Sequence, residues 1–363
     1  MKPYIIDAHE DLAYNMLTFR RDYTRAAHDT RSLEAGSFPP TVNGDTLLGY
    51  PDYTRGNVAV VFGTLFAGPR RRSEGEWDFL SYRDENEAHR SYRSEVDAYE
   101  RLTDEHSHMF RLIRARADLA RLMADRDQAA EDTAPVGLVM LMEGAEGVRS
   151  IAELDEWWEL GVRIIGPAWA GTRFCGGTGE PGPLTAQGRE LLAGMADRGF
   201  VLDVSHMDAA AALQALDLYP GQIIASHANP YSMVKRRVSN RFLPDEVVDR
   251  LLERDGVIGI VPFNRFLNDG WEKTDPKEKV SLREVAAHMD YICQRAGDAR
   301  HVALGSDFDG GYGVRSVPAE VDTIADLQLL CPILAEMGYT ETDVAAILGG
   351  NWRSKLEASL PES

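Results

Sequence analysis

Histidines and carboxylates recur in this chain at the ends of apolar runs, where several such side chains can meet and share a divalent cation. The first case is Ile5-Ile6-Asp7-Ala8-His9-Glu10-Asp11. Alternate side chains of an extended chain share a face, so His9 and Asp11 are expected to project together. Taken alone, the stretch fits equally well a charged strand-to-helix turn in which Asp11 caps a helix from Leu12 to Arg20. The pattern then returns as Met142-Glu143-Gly144, Val204-Ser205-His206, Ala225-Ser226-His227 and Gly305-Ser306-Asp307-Phe308-Asp309-Gly310. Each piece also has an ordinary reading as a turn or a helix start. Together they bring three of the nine histidines to such ends, and imidazoles mixed with carboxylates suit zinc or a similar divalent ion. Five ligands overfill a single catalytic zinc, which takes three protein ligands plus water. Two metals sharing one carboxylate and a bridging hydroxide is the simplest arrangement, and it leaves Asp307 free to move protons.

The runs that carry these residues are Tyr4–Asp7, Val58–Phe66, Val136–Met142, Val162–Ile165, Phe200–Val204, Ile223–Ser226, Val257–Val261 and Val302–Gly305. Helical spacing fills the intervals, from Ile151 to Leu160, Thr185 to Arg198, Ala209 to Leu216, Pro244 to Arg254, Ser281 to Arg295, Asp322 to Met337 and Glu341 to Leu348. Near-continuous apolar strands alternating with helices call for a parallel sheet covered on its outer face. Eight such units fit a closed (β/α)8 barrel, the TIM barrel, whose catalytic side chains gather where the strand C-termini converge. No Gly-rich dinucleotide fingerprint follows the first strand. With no internal repeat and no long linker, residues 1–363 read as one domain with insertions at about 22–55 and 83–127. The second reads as one long helix from Arg83 to Asp127, with Tyr92, Val96, Tyr99, Leu102, Met109, Leu112 and Ile113 on one stripe. Its His89, His106 and His108 read as solvated or packing residues.

With 39 basic against 58 acidic residues, the formal charge of −19 opposes a nucleic-acid or anionic-membrane partner. Cys175, Cys293 and Cys331 are too few and too scattered for a disulfide framework or a Cys-rich zinc site, which points to a reducing compartment. No signal peptide, membrane helix or lipid-exchange tail is apparent in the sequence, so a soluble cytoplasmic protein is the expectation.

The ordered set His9-x-Asp11, Glu143, Ser205-His206, Ser226-His227 and Gly305-Ser306-Asp307-Phe308-Asp309-Gly310 resembles the membrane (renal) dipeptidase family of zinc metallopeptidases, within the amidohydrolase superfamily. The resemblance implies a (β/α)8 barrel with two zinc ions that hydrolyses dipeptides, often tolerating a D-residue on the C-terminal side. It makes His9 and Asp11 ligands of one zinc, His206 and His227 ligands of the other, and Glu143 the bridge. The family also places an arginine after the strand-six histidine to hold the substrate carboxylate. Arg241 before Phe242-Leu243-Pro244-Asp245 supplies it, with Arg236 and Arg237 as substitutes, and a guanidinium fork suits a carboxylate. Trp169 departs from the pattern, standing where the family carries a histidine that reaches the substrate carbonyl. An indole has one donor and no acceptor, so it cannot copy an imidazole, but its ring can pack against an apolar substrate group. The Gly-rich stretch Cys175–Gly182 lacks a phosphate-loop ending and reads as a loop over the mouth. The expected partner is a small dipeptide, with a homodimer within the family's habit. The alternatives are a related amidohydrolase acting on another amide, lactone or phosphoester, and a catalytically silent metal-binding scaffold.

Overall fold

Strands made of β-branched and aliphatic residues on both faces stay stable only when both faces are covered, and the chain meets that condition by closing on itself. The computed structural model describes residues 2–129, 133–234 and 239–362. The barrel strands are β1 (Ile5–Glu10), β2 (Val58–Phe66), β3 (Val136–Glu143), β4 (Val162–Gly166), β5 (Val201–Asp203), β6 (Ile223–Ile224), β7 (Ile258–Ile260) and β8 (Val302–Leu304). Every ladder between them is parallel, in the order β7-β8-β1-β2-β3-β4-β5-β6. Between β6 and β7 the pairing shrinks to a single parallel bridge, Ala225 to Ile258, supported by Ala225 N–H to Val257 O at 3.0 Å and Gly259 N–H to Ala225 O at 2.8 Å. The architecture is the (β/α)8 barrel.

Side-chain alternation divides the core in two. Ile6, Ala8, Phe62, Val139, Leu141, Ile164, Ile224 and Ala303 fill the barrel interior together with Trp352 of the last helix, Asn351–Ser359. Trp352 meets Phe62 edge-on at 5.5 Å and donates to Leu304 O at 2.7 Å, plugging the end opposite the strand C-termini. Val61, Leu138, Met140, Ile165, Leu202 and Ile260 face the surrounding helices.

The long helix expected from Arg83 to Asp127 is broken. Glu85–Glu105 is helical, residues 106–109 turn, Phe110–Leu112 pairs in parallel with Val136–Leu138, and Arg116–Gln128 is a second helix. Leu112 and Ile113, expected on the stripe, lie beside β3 instead, Leu112 paired with Leu138 and Ile113 N–H donating to Leu138 O at 2.8 Å, which the local spacing could not distinguish. His89 packs edge-on to Trp157 at 5.1 Å, whereas His106 and His108 lie in the turn.

Residues 22–55 form short helices, Ala27–Glu34, Pro39–Val42 and Tyr50–Gly56, and one buried carboxylate ties them to the end of β8. Asp309 accepts from Tyr23 Oη at 2.7 Å, Thr46 Oγ1 at 2.6 Å, Leu47 N–H at 3.0 Å and Arg21 Nη1 at 3.0 Å.

Closure at β6 and β7 depends on a missing side chain. A Cβ on Gly259 would stand 1.9 Å from the Ser226 carbonyl oxygen. Gly259→Ala is expected to cost about 1–3 kcal/mol by overpacking, read as a lower melting temperature; an unchanged melting temperature would show that this approach does not limit closure.

Candidate metal centre

The barrel interior alternates through Val139, Leu141 and Glu143 along β3, so the strand delivers a carboxylate to the mouth as its last inward side chain. Glu143 Oε1 lies 2.8 Å from His206 Nε2, 3.2 Å from His227 Nε2 and 3.6 Å from His9 Nε2. The His206 and His227 Nε2 atoms are 2.9 Å apart, and the His9 and His227 rings lie 3.6 Å centroid to centroid. Asp307 Oδ1 and Asp11 Oδ1 complete the group at 3.8 and 3.9 Å from His9 Nε2. Two overlapping sets, His9–Glu143–His227 and His9–Asp11–Asp307, are close enough to share an ion each. All the residues drawn from the five strand ends therefore meet at one place.

Simple alternation does not explain how β1 contributes. Ile6 and Ala8 face inward, so a regular strand would turn His9 away; the register shifts between Asp7 and Glu10, and such an irregularity re-aims the side chain that follows. Glu10 instead faces outward, where it accepts from Tyr53 Oη. The strand ends at Glu10, and Asp11 occupies the N-cap position of the helix Leu12–Thr18 without a side-chain cap bond. Its Oδ1 accepts from Thr64 Oγ1 on β2, so the capping role is not the one its carboxylate plays.

A second layer orients the imidazoles. Asp203 at the end of β5 accepts from Ser205 Oγ at 2.6 Å, Ser226 N–H at 2.9 Å and Ser226 Oγ at 2.5 Å. Ser226 Oγ, having given its proton to Asp203, is left to accept from His227 Nδ1 at 2.8 Å, which frees His227 Nε2 as a lone-pair donor toward the centre. Thr178 Oγ1 stands 2.8 Å from His206 Nδ1. Thr178 belongs to an antiparallel hairpin, Cys175–Gly177 with Glu180–Leu184, where a plain loop was expected. Its glycines are needed for close approach, since a Cβ at Gly176 would meet Gly182 N at 2.1 Å. Asp203 and Thr178 escaped the sequence reading, although the repeated Ser-His pair was a visible sign that hydroxyls accompany both imidazoles.

Burial opposes ionisation of Glu143, yet His9 and His206 outweigh it and hold the carboxyl well below its usual range. Burial alone would also depress His9, but Glu143, then Asp307 and Asp11, raise it to about 9. Burial and the Arg241 cation lower His206 to about 4, and burial, His9 and Arg241 hold His227 well below its usual range. Burial lifts Asp307 well above the carboxylate range and Asp11 to about 6. The metal-free cluster thus keeps a proton on His9 while His206 and His227 stay neutral. Neither ring nitrogen of buried His9 has a hydrogen-bond partner among the described residues. Buried orphan nitrogens in a mixed imidazole and carboxylate set fit a divalent cation such as zinc.

Around this cluster, Arg241 is buried and donates to Ser205 O at 3.0 Å and His227 O at 2.8 Å. Arg236 and Arg237 lie outside the described residues. The half-buried Trp169 ring stands 6.3 Å from that of His206. Asp307 and Asp309 both adopt positive φ, 57° and 63°, a conformation rare outside glycine that clusters at functional sites.

Residues 2–355 match the membrane dipeptidase family, peptidase family M19. Dipeptidase tcpJ of Claviceps purpurea is 27% identical over 329 residues, which are 86% of this chain and 69% of that protein. A Klebsiella pneumoniae protein from the pqqA 5' region, without an assigned activity, is 32% identical over 248 residues, 65% of this chain and 87% of that one. A metallo peptidase from Rhodobacter sphaeroides, solved with a phosphinate mimic of the dipeptide L-Ala-D-Ala, superposes with a TM-score of 0.77 at 21% identity, covering 99% of this chain and 100% of that one. The probable dipeptidase PvdM from Pseudomonas aeruginosa does so with a TM-score of 0.78 at 18% identity, covering 100% and 96%. At these identities the superpositions show a shared fold.

The Asp203 relay can be tested by reversing its polarity. In Asp203→Asn the amide NH2 can donate to Ser226 Oγ, which then donates to His227 Nδ1 and leaves the imidazole proton on Nε2. Metal affinity is expected to fall about 10- to 100-fold with the fold retained, measured by chelator competition and circular dichroism. Unchanged affinity would show that Asp203 does not set the tautomer.

Proposed function

The chain belongs to the membrane dipeptidase family, peptidase family M19, and from that premise we propose that its mouth is a binuclear zinc site hydrolysing dipeptides, including those with a D-residue on the C-terminal side. The observation that carries the reading is one buried carboxylate, Glu143, with an oxygen within 3.6 Å of three imidazole nitrogens. His9 and Asp11 would hold one ion, His206 and His227 the other, with Glu143 shared. Bound zinc would polarise the scissile carbonyl and lower the pKa of water toward neutrality.

The chain's own groups supply the rest. Arg241 uses part of its fork on the Ser205 and His227 carbonyls, which fixes the guanidinium and leaves further N–H groups for a substrate carboxylate. Asp307 sits beside His9 and next to Gly310, where a Cβ would stand 2.2 Å from Asp307 Oδ1; only a glycine leaves that carboxyl its place. In hydrolysis the amide C–N bond breaks and a C–O bond forms with water. Asp307 takes the proton of the attacking water and passes it to the leaving amine, a role suited to a carboxyl whose burial raises its proton affinity. The L-Ala-D-Ala mimic held by the Rhodobacter sphaeroides protein supports tolerance of a D-residue. Trp169 favours a second reading, an amidohydrolase acting on a different amide, because the expected carbonyl-binding histidine is absent from that position.

The zinc-loaded chain assayed on dipeptides with L- or D-residues at the C-terminal side should release free amino acids. Asp307→Asn should lower turnover by roughly 10²- to 10⁴-fold with metal content unchanged. No hydrolysis across the panel would favour the second reading, and loss of metal together with activity would make Asp307 a ligand.

A further inference from the structure

We propose that a row of aromatic rings running from Trp169 out to Phe38 binds a large apolar group on the acyl side of the scissile amide, so that the preferred substrates are N-terminally hydrophobic dipeptides or N-acyl amino acids. This rests on the hydrolase reading above and specifies its substrate. The row starts at the metal cluster, where the Trp169 ring lies 6.3 Å from that of His206. Trp169 meets Phe66 edge-on at 5.3 Å, and Phe66 meets Tyr14 at 5.5 Å. Tyr14 then contacts Phe19 at 6.2 Å, Phe19 contacts Trp77 at 5.6 Å, and Trp77 contacts Phe38 at 5.8 Å. All are distances at which rings interact directly.

Core packing alone does not account for this row. Tyr14 is buried, but Trp169, Phe66, Phe19 and Trp77 are only half-buried, and Phe38 at the outer end is 48% exposed. Phe79, two residues beyond Trp77, is 58% exposed. The rings come from separate stretches: the ends of β2 and β4, the helix Leu12–Thr18 and its C-cap Phe19, residues 22–55, and the segment after β2. The Tyr14 hydroxyl donates to Asp78 at 3.0 Å, pinning the stretch beside Trp77 to that helix. The partly exposed rings on either side of buried Tyr14 open to solvent at one end and approach the imidazole cluster at the other, and such apolar surface is what a bound apolar group would cover.

The side of the substrate follows from Arg241. It approaches from beyond β6, whereas Phe66 and Trp169 follow β2 and β4, so a carboxylate held by Arg241 leaves the acyl portion facing the rings. An anionic extension is disfavoured next door: a cavity of about 510 Å³ is lined by Arg71 and Arg173, but Glu180 and Glu146 already pair with them at 2.6 and 2.9 Å. The reaction is the same hydrolysis, releasing an apolar acid or amino acid from the leaving amine.

The test compares kcat/KM for N-acetyl-, N-hexanoyl- and N-dodecanoyl-alanine in one arm and for Ala-Ala and Phe-Ala in the other, with calorimetric binding of the N-acyl series alongside. In at least one arm kcat/KM should climb, by roughly twofold to fourfold per methylene in the acyl arm until the row is filled. Which arm climbs identifies the occupant as a fatty acyl group or an aromatic side chain. The double variant Phe38→Ser, Trp77→Ala should reduce the long-over-short preference about tenfold; Phe38→Ser alone, at an exposed position, gives the same direction should the double variant fail to fold. Flat series in both arms and in binding overturn the proposal, as does a Phe38→Ser change in sedimentation from dimer to monomer with flat series, which would make the row an interface between copies. Length-dependent binding without any hydrolysis would keep the row and reject the hydrolase reading instead.

Discussion

A carboxylate cannot stay ionised inside a barrel mouth unless positive or proton-donating groups surround it, because burial removes the water that would otherwise stabilise the charge. Glu143 is buried, and three imidazole nitrogens stand within 3.6 Å of one of its oxygens. In the metal-free chain the compensation is a proton on His9, raised to about 9 by Glu143 and the neighbouring aspartates. Cations in the same place would supply the charge directly and displace that proton. The electrostatic problem created by Glu143 and the donor set that would bind metals are one arrangement.

Holding three imidazoles from three strand ends around one Glu143 oxygen requires each side chain to be fixed by something other than a metal ion. Asp203 fixes His227 through Ser226, and Thr178 meets His206 from the hairpin. Thr64 holds Asp11, while Asp309 ties residues 22–55 to the loop that carries Asp307. These partners sit on strands or on segments anchored to strands, which limits the loss of side-chain entropy when a ligand arrives.

The barrel was legible because its strands are continuous apolar runs and its helices keep helical spacing, so local pattern and global fold agree. That His9, Asp11, Glu143, His206, His227 and Asp307 gather at one mouth was legible for a related reason: each follows an apolar strand, and strand C-termini converge in a barrel. What could not be read was whatever depends on register or on pairing between distant segments. The irregularity in β1 that turns His9 inward leaves no trace in Ala8-His9-Glu10. The break at residues 106–109 comes from Phe110–Leu112 joining β3, although the stripe continues through Met109 and Leu112 at helical spacing. Asp203 reaches both serines only because β5 and β6 lie side by side, a pairing that the local sequence does not show. Trp169 was recognisable as a departure from the family pattern, but the rings beyond it come from separate stretches and meet only in three dimensions.

Whether Glu143 joins two cation positions is measured most directly by the metal content of the wild-type chain and of Glu143→Gln after zinc loading and dialysis. Glutamine keeps the size of the side chain but removes the charge that both positions would share. About two zinc ions per chain are expected in the wild type and the loss of at least one in the variant, with the melting profile of the metal-free protein retained. A wild type that settles at one ion, with Glu143→Gln binding the same number, would contradict a shared Glu143.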